Sequence, residues 1–458
     1  QAEQVTYEWL YIIFNGFLQA EMYSDLMVML DSIEAEHSNH TKWLKNVWRV
    51  YDVLARLDQS TRQALEPIIA NDGNHLSRVA TWGLNRDLIS SLDYLPHGPL
   101  YWLSNELLGM SSVQDDAIAM AKQAIDAYPV DSQWFMTVIG GYRFDEHCQQ
   151  IDARYCPETY RADLLKRLYP NTYQFDDGNF VIHTALDYGK AQKLYFASQQ
   201  VKAQFHRVTQ NTTPVIGDVA DKLTTYVAHS RQHYDDFQSY LFNLPSDNGG
   251  IYIEGDATFY TYERTRSQSI YSLEELFRHE YVHYLESRFQ IHGLYGEGEF
   301  YNSPHGYWEV EGLAEFLSGA TASQGIKKRI SIMQGLASNS QSKMSLSQIV
   351  NTNSGFEVYP YGAMLHHFLY AEHPDKHIAM LKALHTNDIS SYDRLLTSWA
   401  NDAELNQSFS DYLDASYQDQ SDWWEPDTQW SPTEKFSFTQ TADVETALNA
   451  GNEYGFTC

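Results

Sequence analysis

The chain has 458 residues, 43% hydrophobic and 14% aromatic, which is enough apolar material for two or three cores and rules out a disordered chain. With 60 acidic against 31 basic residues the formal net charge is −29, which repels phosphate and argues against a nucleic-acid partner while keeping the surface solvated. No apolar run reaches the roughly 18 residues of a membrane span; the region 9–30 is interrupted by Asn15, Gly16, Gln19, Glu21 and Asp25 and reads as a buried helix.

Residues 1 to about 140 carry apolar residues at three- and four-residue spacing, as in Leu84, Leu88 and Leu92, or Ile118, Ala121 and Ile125. Polar breaks such as Asn71-Asp72-Gly73 separate the segments, which predicts a stack of helix pairs without a clean repeat period. The chain starts at Gln1 in helical pattern with no visible signal peptide, so a removed targeting segment or propeptide is expected. Residues 141–176 read as a junction. Within it Cys148 and Cys156 are spaced for a short-loop disulfide in an oxidising compartment, while Cys458 is unpaired or pairs outside this sequence. Strand-like runs follow at Phe180–Thr184, Leu223–Ala228, Gly250–Glu254 and Thr258–Tyr262, the last two split by a hairpin break at Gly255-Asp256-Ala257. From about 272 onward the pattern is again helical, and 420–440 reads as irregular chain packed by aromatics. The expected architecture is mainly α with a small mixed β-sheet: a helical domain at 1–150, a linker at 151–175, and a second domain at 176–458.

The segment Ser272 to Phe289 concentrates the chemistry. Ser272 and Glu275 form a capping box, so a helix starts there. On that helix His279 and His283, four apart, share one face and can reach one metal ion, and Glu280 lies close enough to touch a water on it. This is the His-Glu-x-x-His arrangement. Trp308 to Leu317 predicts a second helix on which Glu311 and Glu315 share a face beside apolar positions. Unpaired carboxylates on an apolar face are costly. A zinc ion resolves the cost if Glu311 is the third ligand and Glu315 accepts a hydrogen bond from a ligand histidine. Zinc-assisted peptide hydrolysis with Glu280 as general base follows. No nucleophilic Ser or Cys motif, phosphate-cradling loop or CxxC pair competes. A purely structural helical scaffold leaves the two carboxylates unexplained.

Gly249-Gly-Ile-Tyr-Ile-Glu254, Tyr260-Thr-Tyr-Glu-Arg264, His279-Glu-Tyr-Val-His-Tyr-Leu285 and Glu311-Gly-Leu-Ala-Glu315 resemble the bacterial collagenases of the Vibrio type, which are gluzincin metallopeptidases. The resemblance covers about 175–458 closely. It implies a thermolysin-like peptidase domain, with a catalytic part at about 176–325 and a helical helper part at 326–458, and a helical activator domain facing it as a saddle. It further implies that Tyr361 steadies the oxyanion, and that the edge strand at Gly250 and Ile251 pairs with substrate backbone. Glu254, helped by the backbone of Ile291 and Gly293, would bind calcium. The implied protein is a secreted, monomeric endopeptidase acting on collagen and gelatin with zinc and calcium, away from membranes. A gluzincin with other substrates, or a catalytically silent matrix-binding module, are the alternatives. Two positions depart from the family pattern: Ser287 replaces a Gly before Arg288, where a positive φ would strain it, and Val310 replaces an acid before Glu311. The adjacent His366 and His367 point different ways and read as structural.

Overall fold

The computed structural model describes residues 2–36, 41–84, 96–218, 220–265, 267–322, 324–338 and 343–428. The chain divides into two units, Gln1–Arg167 with Asp235–Ser246, and Leu168–Tyr234 with Asp247–Cys458. No described helix is long and apolar enough to cross a membrane.

Among the described residues the first unit contains helices and no strand. The apolar stripe at Ile118, Ala121 and Ile125 faces inward on the helix Gln114–Ala127. Leu84 ends the helix His75–Gly83, whereas Leu88 and Leu92 lie outside the described residues. Two arginines, Arg78 buried and Arg62 half-buried, tie these helices together. Arg78 Nε meets Asp31 at 2.6 Å and its Nη1 meets Asp72 at 2.7 Å, and Arg62 Nε meets Glu106 at 2.6 Å.

The stretch 141–176 is ordered chain: the helices Phe144–Ile151 and Pro157–Leu168, then the first strand of the sheet. Cys148 and Cys156 form a disulfide between the end of one helix and the start of the next. Closing so short a loop restricts the unfolded chain by about 2.5 kcal/mol. The double substitution Cys148→Ala/Cys156→Ala should therefore raise amide hydrogen exchange in these two helices by one to two orders of magnitude, read by mass spectrometry; unchanged exchange would show that packing alone holds them. Cys458 lies outside the described residues.

The second unit opens with a five-stranded mixed sheet: β1 (Asn171–Phe175), β2 (Phe180–Thr184), β3 (Leu223–Ala228), β4 (Gly250–Ile253) and β5 (Thr258–Tyr262), in spatial order β1-β2-β3-β5-β4. The inner pairs β2–β3 and β3–β5 are parallel, and the outer pairs are antiparallel. Helix α1 (Tyr188–Thr209) makes the long crossover from β2 to β3 that parallel pairing requires. The strand β1 escaped the sequence pattern because its residues alternate half-buried and exposed, Asn171-Thr-Tyr-Gln-Phe175, at a sheet edge. The other edge is β4, in register with β5 from Gly250 opposite Thr261 to Ile253 opposite Thr258. The turn between them runs through Glu254–Asp256 and closes on Ala257 at φ 47°.

Helix α2 (Leu273–Phe289) lies against this sheet, with Phe277 edge-on to Phe259 at 4.7 Å. Its capping box is formed as the sequence requires: Ser272 Oγ accepts from Glu275 N at 3.2 Å and Glu275 Oε2 accepts from Ser272 N at 2.8 Å. Helices α3 (Gly306–Leu317) and α4 (Val358–Glu372) follow. They cross at two glycines: a Cβ on Gly312 would sit 2.9 Å from the Gly362 backbone, and one on Gly362 2.9 Å from Gly312 Cα. The short strands β6 (Lys328–Arg329) and β7 (Trp423–Trp424) pair in parallel, so the tail read as irregular is strand at 423–424; residues 429–458 lie outside the described part.

Candidate metal centre

The cap at Ser272 sets the phase of α2, and that phase brings His279 and His283 to one side of it. Their Nε2 atoms face each other at 3.0 Å. Glu311, from α3, places Oε2 3.3 Å from His279 Nε2 and 3.9 Å from His283 Nε2. This Oε2 is buried with no hydrogen-bond partner among the described residues. The three donor atoms lie within 4.8 Å of one another, the one such group of three found among the described residues.

The far side of each imidazole faces a carboxylate. Glu286 Oε2 lies 3.1 Å from His283 Nδ1, and Glu315 Oε1 lies 3.3 Å from His279 Nδ1, in ion-pair range though not aligned as a hydrogen bond. A carboxylate at Nδ1 favours the tautomer with its proton there, which turns the Nε2 lone pair inward. Two lone pairs and a carboxylate oxygen converging in a buried space repel one another unless a cation lies between them. Nitrogen and oxygen donors of this kind suit zinc. The residues therefore fit a metal ion.

Charge at the site follows burial. Desolvation holds the Glu280 carboxyl above its ordinary value, against the opposing pull of His279 and His283. Burial pushes Glu286 well above its usual range, with Glu311 adding to the effect. At Glu311 burial pushes upward too, but the two adjacent imidazoles outweigh it, and its carboxyl titrates below the usual value.

The site lies in a cleft of about 560 Å³ whose wall includes His279, Glu280, His283, Glu311, Tyr359 and the edge strand β4. Glu280 abuts that strand closely. A Cβ on Gly250 would lie 2.8 Å from Glu280 Oε1, so only glycine lets the carboxylate and the strand share this space. Gly250 and Ile251 both line the cleft.

Tyr361 does not reach it. That side chain is 3% exposed and packs in the core of the second unit. Two residues earlier, Tyr359 lines the cleft, its ring parallel to that of His279 at 6.1 Å and its phenol under the electrostatic influence of Glu311 and Tyr307. Burial, reinforced by the Glu311 charge, pushes the Tyr359 phenol far up, so it keeps its proton as a donor. Positions two apart on a helix point about 200° apart, so one of two neighbouring tyrosines must face away.

Glu254 lines the same cleft but sits in the β4–β5 turn, where its carboxylate accepts from the Tyr295 backbone N–H and from the Tyr301 hydroxyl. Burial raises its pKa. Ile291 borders the cleft, and Gly293 takes φ +89° in the loop after α2. Ser287 lies inside the last turns of α2 without a positive φ; its hydroxyl bonds the Tyr284 carbonyl at 3.1 Å and the Tyr252 hydroxyl at 3.1 Å, so the strain expected there is absent.

Such donor chemistry, with a spare glutamate beside it, is that of the metallopeptidases, and comparison with known proteins narrows the class. The sequence profile of the collagenase family, Peptidase_M9, matches residues 119–412, well over half of the chain. The chain belongs to this family. It is 40% identical over 259 residues to Collagenase ColA of Clostridium perfringens, a match covering 56% of this chain and 23% of that protein. To Collagenase ColA of Bacillus cereus it is 31% identical over 377 residues, 79% of this chain and 38% of the relative. To the microbial collagenase of Vibrio parahaemolyticus it is 24% identical over 459 residues, 94% of this chain and 53% of the relative. The chain thus spans from about a quarter to about half of the length of these relatives.

Proposed function

We propose that this chain is the peptidase part of a secreted zinc endopeptidase that hydrolyses peptide bonds in collagen and gelatin. The observation that carries the reading is the convergence of His279, His283 and Glu311, with Glu280 beside them, inside the span that matches the collagenase family. His279, His283 and Glu311 hold the metal, and Glu315 and Glu286 orient the two imidazoles. Bound there, zinc would polarise the scissile carbonyl and make water acidic enough to attack near neutral pH.

The chain's own residues do the rest. Glu280 accepts a proton from the attacking water as its oxygen bonds to the carbonyl carbon. It then delivers that proton to the amide nitrogen as the C–N bond breaks, releasing an amine and a carboxylate. Tyr359, not Tyr361, is the phenol placed to donate a hydrogen bond to the developing oxyanion. The open side of β4 at Gly250 and Ile251 offers backbone groups to an extended substrate strand. Glu254 would serve calcium with the carbonyls of Ile291 and Gly293, exchanging its present N–H and O–H partners for the ion. The helical unit ahead of residue 168 takes the activator role, and the helices after about 326 support the catalytic part.

The test is cleavage of native triple-helical collagen and of heat-denatured collagen, before and after zinc is stripped with a chelator and restored. We expect both substrates to be cut, stripped protein to be inert, and one equivalent of zinc to restore the rate. Cleavage of other unfolded proteins but neither collagen form would make it a metallopeptidase of different substrate range. Zinc binding without any cleavage would leave a matrix-binding module.

A further inference from the structure

The two ligand histidines are braced by carboxylates that are themselves held very differently. Neither carboxylate has a hydrogen bond to its second oxygen among the described residues, and Glu286, behind His283, has no arginine or lysine paired with it there either. Glu315, behind His279, is gripped by a guanidinium. Arg329 of β6, 2% exposed, forms an ion pair with Glu315 Oε2, and its Nη2 donates to the Glu315 backbone carbonyl at 3.2 Å. Its other arm, Nη1, donates to Glu275 Oε1 at 3.2 Å, and Ser331 Oγ donates to the same oxygen at 2.6 Å. Glu275 is the residue whose other oxygen caps α2.

One buried cation therefore joins the start of the helix that carries both histidines to the helix that carries Glu311, at the point where the second helix meets His279. The chemistry suits arginine and no other side chain. A guanidinium stays charged when buried and presents two separated donor edges, so it can hold two carboxylates at once in fixed directions.

We infer that Arg329 is a positioning residue for the metal centre: it fixes Glu315 against His279 Nδ1 and thereby fixes the direction of the His279 Nε2 lone pair. The inference rests on the reading of His279, His283 and Glu311 as metal ligands. Arg329 touches no substrate and no reacting atom. Its effect passes through Glu315, so it should appear in metal affinity before it appears in turnover. Residues braced in this way behind ligand histidines typically contribute tenfold to a hundredfold in affinity.

The experiment is a competition titration of zinc against a chelating indicator, with the visible spectrum of the cobalt-substituted protein as a second readout. The proteins compared are wild type, Arg329→Met, Arg329→Lys and Glu275→Gln. Arg329→Met should bind zinc about 10- to 100-fold more weakly and shift the cobalt bands, because Glu315 loses its anchor. Arg329→Lys should recover part of the loss, since it restores the charge without the fork. Glu275→Gln breaks the other arm and should lower stability while leaving zinc affinity within about threefold of wild type. Arg329→Met that is folded and binds zinc as wild type does overturns the inference. Should that variant fail to fold, the comparison of Arg329→Lys with Glu275→Gln decides: equal affinities, or a greater loss in Glu275→Gln, overturn it. Wild type that binds no zinc would instead sink the assignment of the ligands.

Discussion

Replacing Glu280 by glutamine should leave one zinc per chain in place and lower kcat/KM on a gelatin peptide by about 10²- to 10⁴-fold, the range that a positioned proton acceptor contributes. Glutamine is the right probe because the site is tight. Glu280 is 6% exposed and a Cβ at Gly250 would already meet its Oε1 at 2.8 Å, so a larger or branched residue would displace β4 and confuse a packing effect with a chemical one. The amide has the same shape and cannot take the proton. None of the three ligands is altered, which is why metal content, measured by emission spectrometry, should not change. A variant that keeps zinc and cuts within tenfold of wild type would remove Glu280 from the proton path and leave another group to be found.

The second large effect is expected at Gly312. An alanine there gains about 1 kcal/mol of intrinsic helix preference, yet its Cβ would stand 2.9 Å from both Cα and the carbonyl carbon of Gly362. Backbone on the far side cannot swing aside as a side chain can, so α3 and α4 must separate. Overpacking of this kind costs about 1–3 kcal/mol. The net loss of stability, up to about 2 kcal/mol, is the smaller part. Gly312 follows Glu311 directly, and Tyr359 precedes Gly362 by less than one turn, so the same separation moves the proposed ligand Glu311 away from Tyr359 across the cleft they both line. Misplacement on the order of 1 Å at a reacting centre can cost about 10²-fold in rate. Gly312→Ala should therefore lose activity out of proportion to its shift in urea midpoint. Wild-type activity in the variant would mean that the crossing can open without moving Glu311.

What the sequence made legible at this site is what a single helix encodes. His279, Glu280 and His283 lie within five residues on a helix whose start is written in Ser272 and Glu275, and Glu311 with Glu315 repeat the logic one helix later. Glu286 carries the same local signal, since three residues from His283 places it on the same side of α2. The choice between Tyr359 and Tyr361 was not readable, because it depends on the rotational phase of α4, which Gly312 and Gly362 set by contact between helices. Arg329 carried no local signal at all. It stands in a two-residue strand that exists only because residues 423–424 pair with it. The sheet divides along the same line: the runs at β2, β3 and β5 are β-branched or aromatic and bury their side chains, whereas β1 is defined by its partner.

The last described residues close the surroundings of the helix that bears His279. Thr428 donates from its backbone N–H and its hydroxyl to Glu274, 154 positions earlier, and its Oγ1 also receives Arg278 Nη2 at 2.9 Å. Arg278 precedes the first ligand histidine and is wholly buried, with further acceptors in Gln200 and the Ala320 carbonyl and the ring of Trp424 5.5 Å away. During synthesis, His279, His283 and Glu311 are all made more than a hundred residues before Trp424 and Thr428. Until those two are made, Arg278 keeps its ion pair with Glu274 on the same helix but lacks the Thr428 hydroxyl and the Trp424 ring that complete its surroundings. The packing behind the helix that bears His279 is thus completed from residues 424 and 428, far along the chain from the helix itself.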